Sequence, residues 1–226
     1  MKKLFLLLSL LGLLGTGLNA QTASLQNPVA NPKSMRINIG TQGIGAEFGY
    51  GVSQKTALRL GFDIVPVSAN DVYSISGFNS SSKFSANFSN VHLLADFTPI
   101  KSSKWFRLVG GVAYFTRADG NLKIQSADGY KYGDIVLTAD QAGHVNMKAD
   151  WKGFAPYLGV GFLRAFPDKR FNINLDLGSY YLKSPNTTIV GTGLLEDNSS
   201  QSAQLQQNLK DYRFLPVVQL NFNFKI

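Results

Sequence analysis

His92 and His144 are the two histidines of this 226-residue chain, and it contains no cysteine. Nucleophilic catalysis needs a base, usually His, oriented by a carboxylate and set beside a hydroxyl or thiol. His92 and Asp96 stand four residues apart on one face of an extended segment, too far for a direct hydrogen bond. His144 lies in a long connection between Gly143 and Val145. Two separated histidines without cysteine fall short of a metal ligand set. The glycines of GTQGIGAEFG occupy alternate strand positions, where close packing accounts for them better than a phosphate cradle does. The chain is therefore read as no enzyme, with no catalytic, cofactor-binding or metal-binding residue assigned and no cofactor expected. The remaining chemistry is ionic. Arg36, Glu47, Arg59, Asp63, Asp96, Arg107 and Asp176 share the polar phase of their strands, and they are expected to pair as one interior network because unpaired buried charges are costly.

Strand alternation would position these charges. Apolar residues fall on odd positions at Met35, Ile37 and Ile39, then on even ones at Ile44, Ala46, Phe48, Tyr50 and Val52. A two-residue hairpin loop at Gln42-Gly43 explains the switch and would pair Thr41 with Ile44, Ile39 with Ala46 and Ile37 with Phe48. The alternative is one long bulged strand from Met35 to Val52, which leaves seven strands that cannot close antiparallel. Further strands are expected at Thr56 to Pro66, Lys83 to Phe97, Lys104 to Thr116, Phe154 to Phe162, Phe171 to Tyr181 and Phe214 to Ile226. Short turns at Ser53 to Lys55, Pro99 to Ser103 and Pro167 to Lys169 alternate with long connections at Val67 to Ser82, Arg117 to Gly153 and Leu182 to Arg213. The first long connection reads as a plain loop. The second alternates in places, so strands are expected to project there, and the third could hold a short helix around Leu205 and Leu209.

The fold class is all-β: an eight-stranded antiparallel transmembrane β-barrel, an up-and-down meander, over residues 33–226. No charge falls on the apolar faces, where Arg or Lys near the bilayer midplane costs roughly 2–4 kcal/mol. The polar face carries the seven network residues and Arg213, together with many glycines. A soluble barrel of lipocalin type would turn its apolar face inward. Two aromatic girdles favour the membrane form: Tyr50, Phe97, Phe106, Phe162, Phe171 and Phe224 beside the short turns, and Phe62, Tyr114, Phe154, Tyr181 and Phe214 towards the long ones. Pro66, Pro156 and Pro216 stand near the long-loop rim, where a missing ladder donor is tolerable.

The first twenty residues have the layout of a secretory signal: Lys2 and Lys3, an apolar run from Leu4 to Leu14, and small residues up to Ala20. Residues 1–20 are read as a signal peptide cleaved near Ala20, and 21–32 as an N-terminal periplasmic segment. Two of the 22 basic residues lie in the signal, which leaves 20 against 14 acidic ones, an excess of six. Export and the scatter of the lysines over turns and loops argue against nucleic acid as a partner.

The segments GTQGIGAEFGYGVSQKTALRLG, HLLADFTP, FRLVGGVAYF, APYLGVGF, FNINLDLGSYY and PVVQLNFNFKI resemble the small outer-membrane β-barrel proteins of Gram-negative bacteria, the porin-like group that includes the OmpA membrane domain and OmpW. The resemblance implies an outer-membrane location in the cell envelope, contact with outer-membrane lipid, and handling by the barrel-assembly machinery, which reads a terminal aromatic. Here Phe224 stands two places before Ile226. The expected function is a structural or interaction scaffold with a largely plugged polar interior and extracellular loops open to an outside partner. The alternatives are a narrow pore or transporter for small, hydrophobic molecules lined by the inward Leu94, Val109 and Phe115, then a lipocalin-like soluble binder or an outer-membrane enzyme.

Overall fold

The structure is a computed structural model that describes residues 31–71, 80–100, 105–126, 130–132 and 135–226. The expected signal peptide and residues 21–30 lie outside them. The chain runs through β1 (Lys33–Gly40), β2 (Gly43–Gly51), β3 (Thr56–Asn70), β4 (Ser80–Phe97), β5 (Phe106–Ser126), a small hairpin of β6 (Tyr130–Tyr132) and β7 (Ile135–Leu137), and the one-turn helix α1 (Ala139–Ala142). It continues with β8 (His144–Asp150), β9 (Gly153–Phe162), β10 (Phe171–Tyr181), β11 (Asn186–Gly191), a 3-10 segment (Gly193–Gln201), α2 (Ser202–Leu209) and β12 (Phe214–Lys225). Eight of these strands close a ring: β1, β2, β3, β4, β5, β9, β10 and β12, with β12 pairing back onto β1, every pair antiparallel. Closure removes the free edges that an eight-stranded sheet would otherwise expose.

The alternation is realised face by face. Ile37, Leu60 and Ile64 are each more than half exposed on the outside of the ring, and Met35, Leu93 and Val218 lie in the same band. So continuous an apolar surface far exceeds the patches that soluble monomers tolerate. Both girdles are present: Phe171 packs tilted against Phe224 at the short-turn rim, while Tyr114 meets Phe154 and Tyr181 meets Phe214 at the other.

The first hairpin forms with a different register from the expected one. Ile39 faces Ile44, Ile37 faces Ala46 and Gly40 faces Gly43, so the loop is Thr41-Gln42 and glycine opens β2. Gly43 takes φ of +82°, and a Cβ there would strike the Ile64 carbonyl. Glycine is needed at the strand mouth and not at the loop tip. The slip is two residues, so each side chain keeps the face its phase assigns.

Three strands rise past the ring. The stretch expected as a plain loop from Val67 to Ser82 is partly strand: Val67 pairs with Ala86 and Asn70 with Lys83. Outside an apolar slab the ladder imposes no hydropathy pattern, so Ser and Asn are admitted. β5 continues to Ser126 and changes neighbour, pairing with β9 up to Phe115 and with β8 from Asp119. A bulge makes the change: Ser89 faces Arg117 while Asn90 faces Phe115, leaving Thr116 extra. Phe115 and Ala118 are therefore both buried, and Thr116 and Arg117 both exposed. β11 then pairs with β8 and completes a wall on one side of the barrel. α2 lies where the sequence placed a short helix.

Candidate functional site

The inward faces bring long charged side chains from opposite strands into one cross-section. Arg36 comes from β1, Glu47 from β2, Arg59 from β3, Asp96 from β4, Arg107 from β5 and Asp176 from β10, each at most 3% exposed. Arg59 Nη1 lies 3.2 Å from Glu47 Oε2 and 2.7 Å from Asp176 Oδ2. Arg107 Nη2 donates to Asp176 Oδ1 at 2.6 Å, and its Nη1 to Asp96 Oδ1 at 2.9 Å. Arg36 closes the circuit at 3.6 Å from both Asp96 and Glu47. The six alternate in sign around a ring, and Arg59 Nη2 crosses it to Asp96 at 3.2 Å. Every guanidinium faces at least two carboxylates, the arrangement that offsets the large cost of taking them from water.

The two ring strands that supply no charge make room or bond. Asn221 on β12 donates to Asp176 Oδ2 at 3.0 Å. On β9, a Cβ at Gly161 would lie 2.6 Å from Arg107 Nε. Gly61 does the same for the Glu47 and His92 side chains. The inward glycines mark where a neighbour's long side chain folds across the lumen, which explains their share of the polar face.

Asp63, the seventh sequence-assigned residue, lies outside the ring. It meets His92 Nδ1 at 3.2 Å and the Asn90 amide at 3.4 Å. His92 Nε2 lies 3.3 Å from Glu47 Oε1, so this histidine bridges Asp63 to the ring. His92 belongs to the network, although its own strand offers only Asp96, out of reach, as a carboxylate. Its partners come from β2 and β3, since Gly61 faces His92 across the ladder. The buried Asn38, Asn90, Asn174 and Asn221 also fall on the inward phase and join the polar interior. Arg213, assigned to the inward face, is instead at the rim before β12, donating to the Tyr181 hydroxyl and Ser184 Oγ.

The lumen is occupied on both sides of the ring. Below it, residues 163–170 form the β9–β10 connection and turn inward. Arg36 Nη2 donates to the Ala165 carbonyl at 2.8 Å, Arg107 Nε to Leu163 at 3.2 Å, and Asn174 to Arg164 at 3.1 Å. The Phe166 ring lies 5.9 Å from the Arg36 guanidinium carbon. Above it, Leu94, Val109 and Phe115 pack with Tyr157, Tyr180 and Val217 in an apolar cluster. Tyr180 meets Tyr157 at 4.8 Å and Phe115 edge-on at 5.3 Å between ring centroids.

Solved structures share this architecture. CarO of Acinetobacter baumannii matches with a TM-score of 0.63 and 23% sequence identity, covering 89% of this chain and 100% of its own. The chain has the fold of an outer-membrane β-barrel. Acinetobacter baumannii CarO2 matches with a TM-score of 0.62 and 20% identity, over 86% of this chain and 98% of its own. No protein-family model matches the barrel's sequence, and no curated protein does.

Proposed function

We propose that the protein resides in the outer membrane as a closed barrel, a scaffold that presents its one-sided wall of β3, β4, β5, β8 and β11 outside the cell. What carries the reading is the burial of Arg36, Arg59 and Arg107, none more than 1% exposed. A continuous path wide enough for water would leave at least one of these guanidiniums accessible. An eight-stranded barrel encloses an interior that side chains just fill, and here ion pairs fill the middle with the inturned 163–170 segment beneath. The apolar residues that could line a passage, Leu94, Val109 and Phe115, are packed against tyrosines. Catalysis gains no support, because both ring nitrogens of His92 are taken by carboxylates and His144, whose Nδ1 meets Thr192 Oγ1 at 3.1 Å, pairs with no carboxylate among the described residues.

Planar-bilayer recording tests the proposal. The refolded barrel is expected to give no steady single-channel conductance above that of protein-free bilayers. Stable, long-lived channels would contradict a closed scaffold and favour the transporter alternative.

A further inference from the structure

The two ends of the barrel differ in charge. At the short-turn rim the strand ladders finish on basic residues or their neighbours: Thr98 N–H donates to the Lys55 carbonyl, Lys225 N–H to Arg170, and Ile226 N–H to Lys33. With Arg164 and Lys169 in the β9–β10 connection, that rim holds six cationic side chains among the described residues. Asp168 is the one acidic side chain there among them, and it is already paired with Arg164. The opposite end is mixed: besides Lys83, Lys123, Lys148 and further cations such as Arg117, Lys152, Lys183, Lys210 and Arg213, it carries Asp71, Asp119, Asp150, Glu196, Asp197 and Asp211, so acids and bases nearly balance there. Lys33, Lys169, Arg170 and Lys225 are exposed, and Lys55 is half-buried.

This basic rim directly adjoins the lower girdle. Lys33 follows Met35 down the outer face of β1, while Lys225 and Arg170, on the inward phase but exposed at the barrel mouth, stand one residue beyond the girdle's Phe224 and Phe171. Trp105, 59% exposed, stacks on Phe162 in the same girdle. Aromatics of this kind sit at headgroup level, so the adjacent cations lie where lipid phosphates are. We infer that the short-turn rim is a docking surface for anionic phospholipid headgroups, with Lys33, Lys55, Lys169, Arg170 and Lys225 gathering the phosphates of the leaflet on that side. The inference rests on the membrane-spanning reading above. A zwitterionic headgroup brings its own cation and gains little from this rim, whereas a net-negative one is concentrated there.

The chain's two tryptophans, Trp105 and Trp151, provide the reporter. Trp151 lies towards the other end, its indole N–H donating to the Tyr212 carbonyl, and Trp151→Phe leaves Trp105 alone. This variant is reconstituted in vesicles of phosphatidylcholine and phosphatidylglycerol in which one or the other lipid carries bromine, a contact quencher. Brominated phosphatidylglycerol is expected to quench Trp105 as if enriched about fivefold over its bulk fraction. About 1 M salt, where the Debye length is near 3 Å, should abolish the preference. So should replacing Lys33, Lys55, Lys169, Arg170 and Lys225 with Gln. Equal quenching by both lipids, or a preference that survives both salt and substitution, overturns the docking surface and leaves the membrane barrel standing. Quenching by neither lipid overturns the membrane reading itself. Retention on isolated peptidoglycan without lipid preference assigns the rim to a different polymer and also overturns the inference.

Discussion

Removing the Arg59 guanidinium leaves Glu47, Asp96 and Asp176 converging on a buried space with one cation fewer. Breaking a buried ion pair from one side costs roughly 3–5 kcal/mol. Arg59→Met is therefore expected to lower barrel stability by about that amount, read as an earlier midpoint in urea unfolding from lipid vesicles. A midpoint within error of the parent would show that the ring is bypassed by solvent. The glycines offer a complementary probe: Gly161→Val places a side chain onto the Arg107 guanidinium, and overpacking of this kind costs about 1–3 kcal/mol. Recovery of stability in the double variant Gly161→Val with Arg107→Met would tie the glycine to that contact, and an additive loss would not. The seven ionic residues were legible from phase alone, because each is the polar alternate of an apolar strand. Which of them touch was not legible. Ring membership depends on the tilt and stagger of strands far apart in sequence, such as Arg59 beside Asp176. Strand phase alone therefore does not separate Asp63 from the six ring residues or reveal the His92 bridge between them.

Element boundaries followed hydropathy only as far as lipid demands it. The ring portions of the strands were legible because the apolar band leaves one acceptable face, and the two-residue error in the first hairpin arose because both registers satisfy that rule. Beyond the band the chain gives no such signal, and the rises of β3, β4 and β5 are set by pairing. β11 shows how a projecting edge is finished. Its outer backbone N–H groups at Thr187, Ile189 and Gly191 donate to Gln206 Oε1, Ser202 Oγ and Ser199 Oγ. Alternate strand positions thus meet one side of the 3-10 segment and α2, which covers the edge without adding a strand. Replacing Ser202 and Gln206 together with Ala is expected to speed amide exchange at Thr187 and Ile189 by about fivefold, since a net hydrogen bond contributes about 1 kcal/mol. Exchange within β1 and β12 should stay unchanged. Uniform acceleration across the barrel, or none at β11, would refute the edge-cover role.

At the scale of the whole molecule, one pattern organises the rest: apolar residues outside, ions and asparagines at the centre, an aromatic plug above and an inturned connection below. The chain's lack of cysteine makes that pattern directly measurable, because each introduced thiol is unique. The most direct measurement is a cysteine scan of Leu58 to Ile64 on β3, extended by Asn38→Cys and Asn221→Cys, in a barrel reconstituted in lipid vesicles. Each thiol is offered a bilayer-dissolved reagent and a small charged water-soluble one. The account predicts that Leu58, Leu60, Phe62 and Ile64 react from the lipid phase alone, and that Asn38 and Asn221, both fully buried, react with neither. Water-phase labelling of Asn38 and Asn221 would mean an open, hydrated lumen. Water-phase labelling of the leucines would mean that the apolar face never met acyl chains.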